Sequence, residues 1–185
     1  MKEVKKPDDG YKSNEERMFR DWLIEAAEVD LIKSNWAYEL ITYDIAPKQH
    51  YDVIVSLKTK EAIRTKHLLH PLVFTPDFVF TLTEKGIKAG LGDVFEKSMA
   101  VNGSPVVVVD VKGRGSKFHD AKYFSAMQKV VYHFSKVYVE KVVPYTFFPL
   151  TFAPEAWRYK KNGQINVLGE RTLNRTQWLL TKGVK

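Results

Sequence analysis

Apolar positions recur at helical spacing through Met18, Phe19, Trp22, Leu23, Ala26 and Ala27, and predict a helix that opens just after Ser13. Ser13 is a good N-cap residue, and Glu16 stands three places after it, as in a capping box. Beyond this helix the pattern shortens to strand-like clusters. Trp36 to Ile45 and Tyr51 to Leu57 are rich in β-formers and flank a turn at Ala46-Pro47-Lys48-Gln49-His50, although Trp36 to Ile41 also fits a helix. Val73 to Leu82 reads as a strand containing Pro76, which implies an edge position or a bulge there. Glu84 to Ser104, rich in Gly and Lys, reads as an excursion between strands. Val106 to Val111 holds five valines in six positions, the pattern of a strand covered on both faces. A second helix is expected from about His119 to Ser135, with Tyr123, Phe124, Met127, Val130, Val131 and Phe134 on one stripe, and Lys136 to Val143 is a further strand closed by Pro144.

The order helix, strands, helix, strand predicts an α/β domain with a central mixed β-sheet flanked by helices. Residues 1–12 read as a charged, flexible arm and residues 13–185 as one domain, with a core over 13–143 and a basic, aromatic extension over 144–185. At 185 residues and 44% hydrophobic composition the chain is long enough to bury a substantial core. The absence of Cys removes disulfide frameworks and thiolate metal sites, so any metal must be held by oxygen or nitrogen. The N-terminus is polar, and no apolar run approaches the roughly 18 residues needed to span a bilayer, so a cytoplasmic protein with no membrane partner is expected.

The formal net charge of +7 is unevenly distributed. Residues 111–185 hold 14 Lys and Arg against 4 Asp and Glu, whereas residues 1–110 hold 15 against 18. A regional excess of this kind points to a polyanion partner.

The chemistry concentrates in Pro76-Asp77 and Asp110-Val111-Lys112. Side chains alternate along a strand, so Asp110 and Lys112 project from one face about 7 Å apart. If the strand leading from Asp77 pairs with the strand ending at Asp110, two carboxylates and an ammonium meet at one end of the sheet. Such a group suits a hard divalent cation, with the Val111 carbonyl as an additional oxygen ligand. The lysine would then stand beside a metal-bound water, placed to orient hydroxide or to stabilise charge on a phosphorus centre. Arg114 and Lys117, in the basic loop Gly113-Arg-Gly-Ser-Lys117, are candidate phosphate contacts, together with Lys122 and Lys129 on the helix that follows. The five histidines show no closely grouped zinc-type spacing, and no Walker loop, Rossmann glycine pattern or serine elbow is present.

In these motifs the sequence resembles the PD-(D/E)XK nuclease superfamily, the restriction-endonuclease-like fold. Pro76-Asp77 looks like the first half of the signature and Asp110-Val111-Lys112 the second. Gln128-Lys-Val-Val-Tyr132 is similar to the Gln-x-x-x-Tyr motif of the RecB-like and related phage exonuclease branches. The resemblance implies an αβββαβ core over roughly residues 13–143 and a small phage-type or mobile-element DNA endonuclease. It implies Mg²⁺, with Mn²⁺ able to substitute, held by Asp77, Asp110, the Val111 carbonyl and a helix carboxylate, for which Glu16 is preferred and Glu15 is the alternate. Lys112 would position or activate the attacking water, with Gln128 and Tyr132 orienting the lysine or a phosphate. Two other readings stay open: a non-catalytic nucleic-acid-binding module of the same fold, and a junction resolvase or exonuclease of the same superfamily. A resolvase or double-strand cutter needs two active sites and hence usually a homodimer, whereas a nickase or exonuclease does not.

Overall fold

In the computed structural model, which describes residues 10–58, 60–114 and 118–184, Ser13 caps the first helix by accepting the Glu16 amide at 3.1 Å. This helix, α1 (Asn14–Glu28), presents Met18, Phe19, Trp22, Leu23 and Ala26 inward, as its apolar spacing requires. The strands are β1 (Ala37–Tyr38), β2 (Tyr43–Ala46), β3 (Gln49–Ser56), β4 (Glu61–Leu69), β5 (Leu72–Phe74) and β6 (Phe78–Thr81). A helical excursion follows, built from α2 (Glu84–Gly86), a π-helical turn (Ile87–Leu91), α3 (Gly92–Val94) and α4 (Glu96–Asn102). It leads into β7 (Val106–Val111), α5 (Phe118–Ser135) and β8 (Val139–Val142). The remainder forms α6 (Pro144–Phe147), two 3₁₀ turns, α7 (Val167–Arg171) and α8 (Arg175–Thr181).

The central sheet has the order β1-β6-β7-β8. β6 is antiparallel to β1 and β7, while β7 and β8 run parallel and are joined through α5. The chain is therefore a mixed α/β fold, and the elements of its sheet follow in the order helix, three strands, helix, strand. Alternation along β7 divides its side chains between two apolar layers. Val107, Val109 and Val111 join α1, Phe78 and Phe80 in the larger layer, while Val108 meets Phe124, Met127 and Val131 of α5 in the smaller.

The larger layer is dominated by aromatic rings, including Phe19 against Phe78 at 5.4 Å, Trp22 against Phe147 at 4.9 Å and Phe152 against Trp178 at 5.8 Å. Each such side chain contributes about 1.5–3 kcal/mol by leaving water. Three of these rings, Phe147, Phe152 and Trp178, come from beyond Pro144. The expected extension is thus part of the core, fastened to α1 by Trp157 Nε1 donating to Asp21 (2.7 Å) and by Arg175 with Glu28 (2.5 Å).

Two local expectations change. The strands flanking Pro47 do not pair with each other: β2 pairs with β5, and β3 with β4, a strand the sequence pattern did not suggest. Its residues Glu61 to Leu69 have no buried face and so leave no apolar alternation to read. Val73 to Leu82 is not one strand with an edge or bulge at Pro76. It is two strands in different sheets, and β6 is interior, because proline lacks the amide a ladder needs and restricts the residue before it. The excursion expected between strands at Glu84 to Ser104 is present, and is helical for most of its length. The expected arm falls largely on residues 1–9, outside the described residues.

Candidate active site

The register of β6 against β7 builds the site. Phe78 faces Val109 as the last pair of the antiparallel ladder, so the next residues along, Asp77 and Asp110, arrive side by side at the sheet's end. Asp77 Oδ2 accepts the Val111 amide at 2.6 Å, which clamps the carboxylate of one strand to the backbone of its neighbour. The amide after it, that of Lys112, donates to Val142 at 2.8 Å and carries the ladder one residue further. The Lys112 ammonium lies 2.5 Å from Asp110 Oδ2, as two residues on one face of a strand should.

Both aspartates are buried, and Lys112 retains contact with solvent. Burial, reinforced by the negative charge of Asp110, pushes the Asp77 carboxyl up to about 7. The Val111 amide opposes that rise, and Glu16 adds to it.

Glu16 stands in the first turn of α1, where the helix dipole favours a carboxylate. It is buried and accepts three hydrogen bonds: from the Lys12 amide at 2.9 Å, the Ser13 hydroxyl at 2.9 Å and the Tyr38 hydroxyl at 2.7 Å. Tyr38 belongs to β1, so the helix carboxylate is fixed from the edge of the sheet. The sequence reading missed Tyr38, and a lone tyrosine in a two-residue strand offers little to find it by. Burial and the hydrogen bond to Glu16 hold its phenol above the usual range. Next to Tyr38, Glu39 pairs with Lys12 and donates its amide to the Asp77 carbonyl at 2.9 Å. Glu15 lies elsewhere, close beside Gly113: a Cβ on that glycine would stand 3.5 Å from Glu15 Oε1. Asp77, Asp110, Lys112 and Glu16 are therefore brought into one electrostatic neighbourhood, with Glu15 at the start of the loop after Lys112.

The other predicted residues are more dispersed. Arg114 is exposed and lies over the Tyr145 ring, 5.5 Å from its centroid. Lys117 lies outside the described residues, and Lys122 and Lys129 are exposed on α5. Gln128 donates to the Val139 carbonyl at 2.7 Å, an anchor for the start of β8. With Tyr132, Lys129, Val101 and Tyr138 it lines a shallow apolar depression of about 250 Å³. Val139 stands opposite Val108, two residues before Asp110, and Tyr132 is a further helical turn along α5. Gln128 and Tyr132 thus form a second group that borders the depression, and Gln128 holds β8.

The carboxylates and backbone carbonyl at the sheet's end make an oxygen-only donor set of the kind hard divalent cations take. In this arrangement Lys112 neutralises Asp110, and no three His, Asp or Glu side chains among the described residues stand close enough together to enclose an ion. Among the described residues, too, no helix is long and apolar enough to cross a membrane. Comparison with known proteins gave no match to any protein-family model, curated protein or solved structure.

Proposed function

We propose that the protein is a Mg²⁺-dependent deoxyribonuclease. The observation that carries this reading is the register that sets Asp77 beside Asp110 at one strand end, with Lys112 against them and Glu16 close enough to influence Asp77. Asp77, Asp110, Glu16 and the Val111 carbonyl would hold the cation, with Glu15 as the alternate helix carboxylate. When bound, the cation would supply Lewis-acid stabilisation of a phosphodiester and a more acidic water. Asp77 would release its proton on taking up this role. Lys112 would turn from Asp110 toward the attacking water, or toward the charge that builds on the phosphate oxygens. Arg114, on the exposed loop that follows, would hold the flanking backbone phosphate.

The test is to incubate the purified protein with Mg²⁺ or Mn²⁺ and with plasmid, branched and single-stranded DNA. Cleavage is expected on at least one substrate, and Asp110→Asn or Lys112→Ala should lower its rate by a factor of 10² or more, the scale of losing a positioned catalytic group. A protein that cuts nothing, or variants that cut as well as the parent, would refute the proposal. The close Asp110–Lys112 pair favours one second reading, a DNA-binding module of the same architecture without catalysis. It predicts no calorimetric Mg²⁺ site and DNA binding that survives Asp110→Asn.

A further inference from the structure

Among the described residues, β3 and β4 form a two-stranded ribbon that pairs with no other strand, and every residue along both is at least partly exposed. A strand ordinarily buries one apolar face against a core, but here an eight-residue and a nine-residue strand bury none of their residues. Ribbons of this kind are marginal alone, which makes a partner surface the natural source of their remaining stability. The ribbon also has a charge that the sequence halves conceal. Residues 49–69 hold four Lys and Arg against two acidic residues, while the rest of residues 1–110 holds 11 against 16.

The cross-strand register sorts these charges by face. Directly opposed residues share a face, so Asp52 with Thr65, Ile54 with Ile63 and Ser56 with Glu61 lie on one side. The 2.7 Å hydrogen bond from Thr65 to Asp52 agrees with that assignment. Val53 with Arg64 and Tyr51 with Lys66 lie on the other. Both acidic residues of the ribbon therefore sit on one face and both of its mid-strand cations on the opposite one, and Lys58 and Lys60 stand at its tip. A two-fold pairing of this basic face with itself would set like charges against each other, whereas a polyanion complements them.

We infer that the Tyr51–Arg64–Lys66 face of this ribbon enters the major groove of B-form duplex DNA. Neighbouring strands lie about 4.8 Å apart and the ribbon is roughly 27 Å long. A two-stranded ribbon fits a groove about 12 Å wide, and neither the minor groove of B-DNA, about 6 Å wide, nor the deep, narrow major groove of A-form RNA admits it. The ribbon is also tied to the carboxylate site. It is rooted on the β2–β5 pair, and only Thr75 and Pro76 separate the end of β5 from Asp77. A duplex that follows the ribbon toward its base would approach the sheet's end. This deepens the nuclease reading, and rests on it, only in naming the duplex as the substrate.

The experiment measures fluorescence anisotropy of the full chain in EDTA with a labelled 25-base-pair DNA duplex, one of its single strands and an RNA duplex of the same sequence. The duplex DNA should bind tightest. Losing two phosphate contacts in Arg64→Ala/Lys66→Ala should weaken it about sixtyfold at 0.1 M salt but only about fourfold at 0.5 M. Arg64→Lys/Lys66→Arg, which keeps both charges, should restore most of the loss, and circular dichroism melts confirm that each variant folds. Equal binding by the double alanine variant, or a loss in that variant that Ile54→Asp on the opposite face reproduces in full, overturns the inference. Ribbon-dependent duplex binding without cleavage in Mg²⁺ would leave it standing and remove the nuclease reading. Cleavage that is indifferent to the ribbon variants would do the reverse.

Discussion

Asp77 is held by a strong hydrogen bond in a place where its charge is unwelcome. Its carboxyl ionises near 7 in the fold, because of burial and the neighbouring Asp110, and near 4 in an unfolded chain. Between those values the folded state keeps a proton that the unfolded state has released, so stability falls as pH rises from about 4 to about 7 and is level outside that window. The amplitude is on the order of a few kcal/mol. Glu25 and Glu140, both raised by burial, slope the same way, so the difference between parent and variant is the informative quantity. In EDTA, urea titrations at pH 5 and pH 8 should show the parent losing stability with pH and Asp77→Asn losing less, leaving the variant the more stable protein at pH 8. A variant with the parent's full slope would assign the effect to other carboxylates. Saturating Mg²⁺ should flatten the parent's profile if the carboxylates hold the cation.

At the scale of elements, legibility followed burial. The helix α1, the strand β7 and the helix α5 each pack an apolar face, and a packed face writes its period into the sequence. Asp77, Asp110 and Lys112 were readable for the same reason, since each ends or adjoins a strand whose buried residues announce it. The ribbon buries none of its residues, and β4 left no pattern to find. Tyr38 was invisible because its part in the site is a single hydrogen bond across the sheet's edge, and Gln128 carries a motif whose local spacing cannot say that its amide is spent on Val139. One element-scale prediction runs against propensity. Gly86 closes α2, where alanine would ordinarily favour the helix by about 1 kcal/mol. Here a Cβ would collide with the Leu31 carbonyl group, whose carbon would lie 2.9 Å away. Gly86→Ala should therefore destabilise the protein by about 1–3 kcal/mol, read as a lower urea midpoint at unchanged slope.

Across the whole molecule, the two ends of the described chain share one core. Phe147, Phe148, Phe152 and Trp178 are buried in the same layer as Phe19 and Trp22, and Glu25 receives the Glu155 amide at 2.8 Å across 130 residues of sequence. Composition could show only that the segment after Pro144 is aromatic and basic. Its aromatics fill the core, Arg158 is buried among backbone carbonyls of Gly169 and Thr172, and the basic residues that remain exposed are fewer than the raw count suggests. Trp178→Ala should cost about 3–5 kcal/mol in urea unfolding, the penalty of a large core truncation, whereas a tail lying outside the core would tolerate it.

The partnership between α1 and residues 144–178 also sets a schedule for synthesis. Chains grow at about 5–20 residues per second, so α1 waits roughly 8–30 s after it is made before the rings that complete its core exist. Until then Phe19 and Trp22 have no finished layer to enter, and Glu16, fixed by its place on α1, has no settled position opposite Asp77. A chain grown only as far as Pro144 would hold every proposed catalytic residue and still lack the assembled site, so the last fifth of the sequence decides when the first can act.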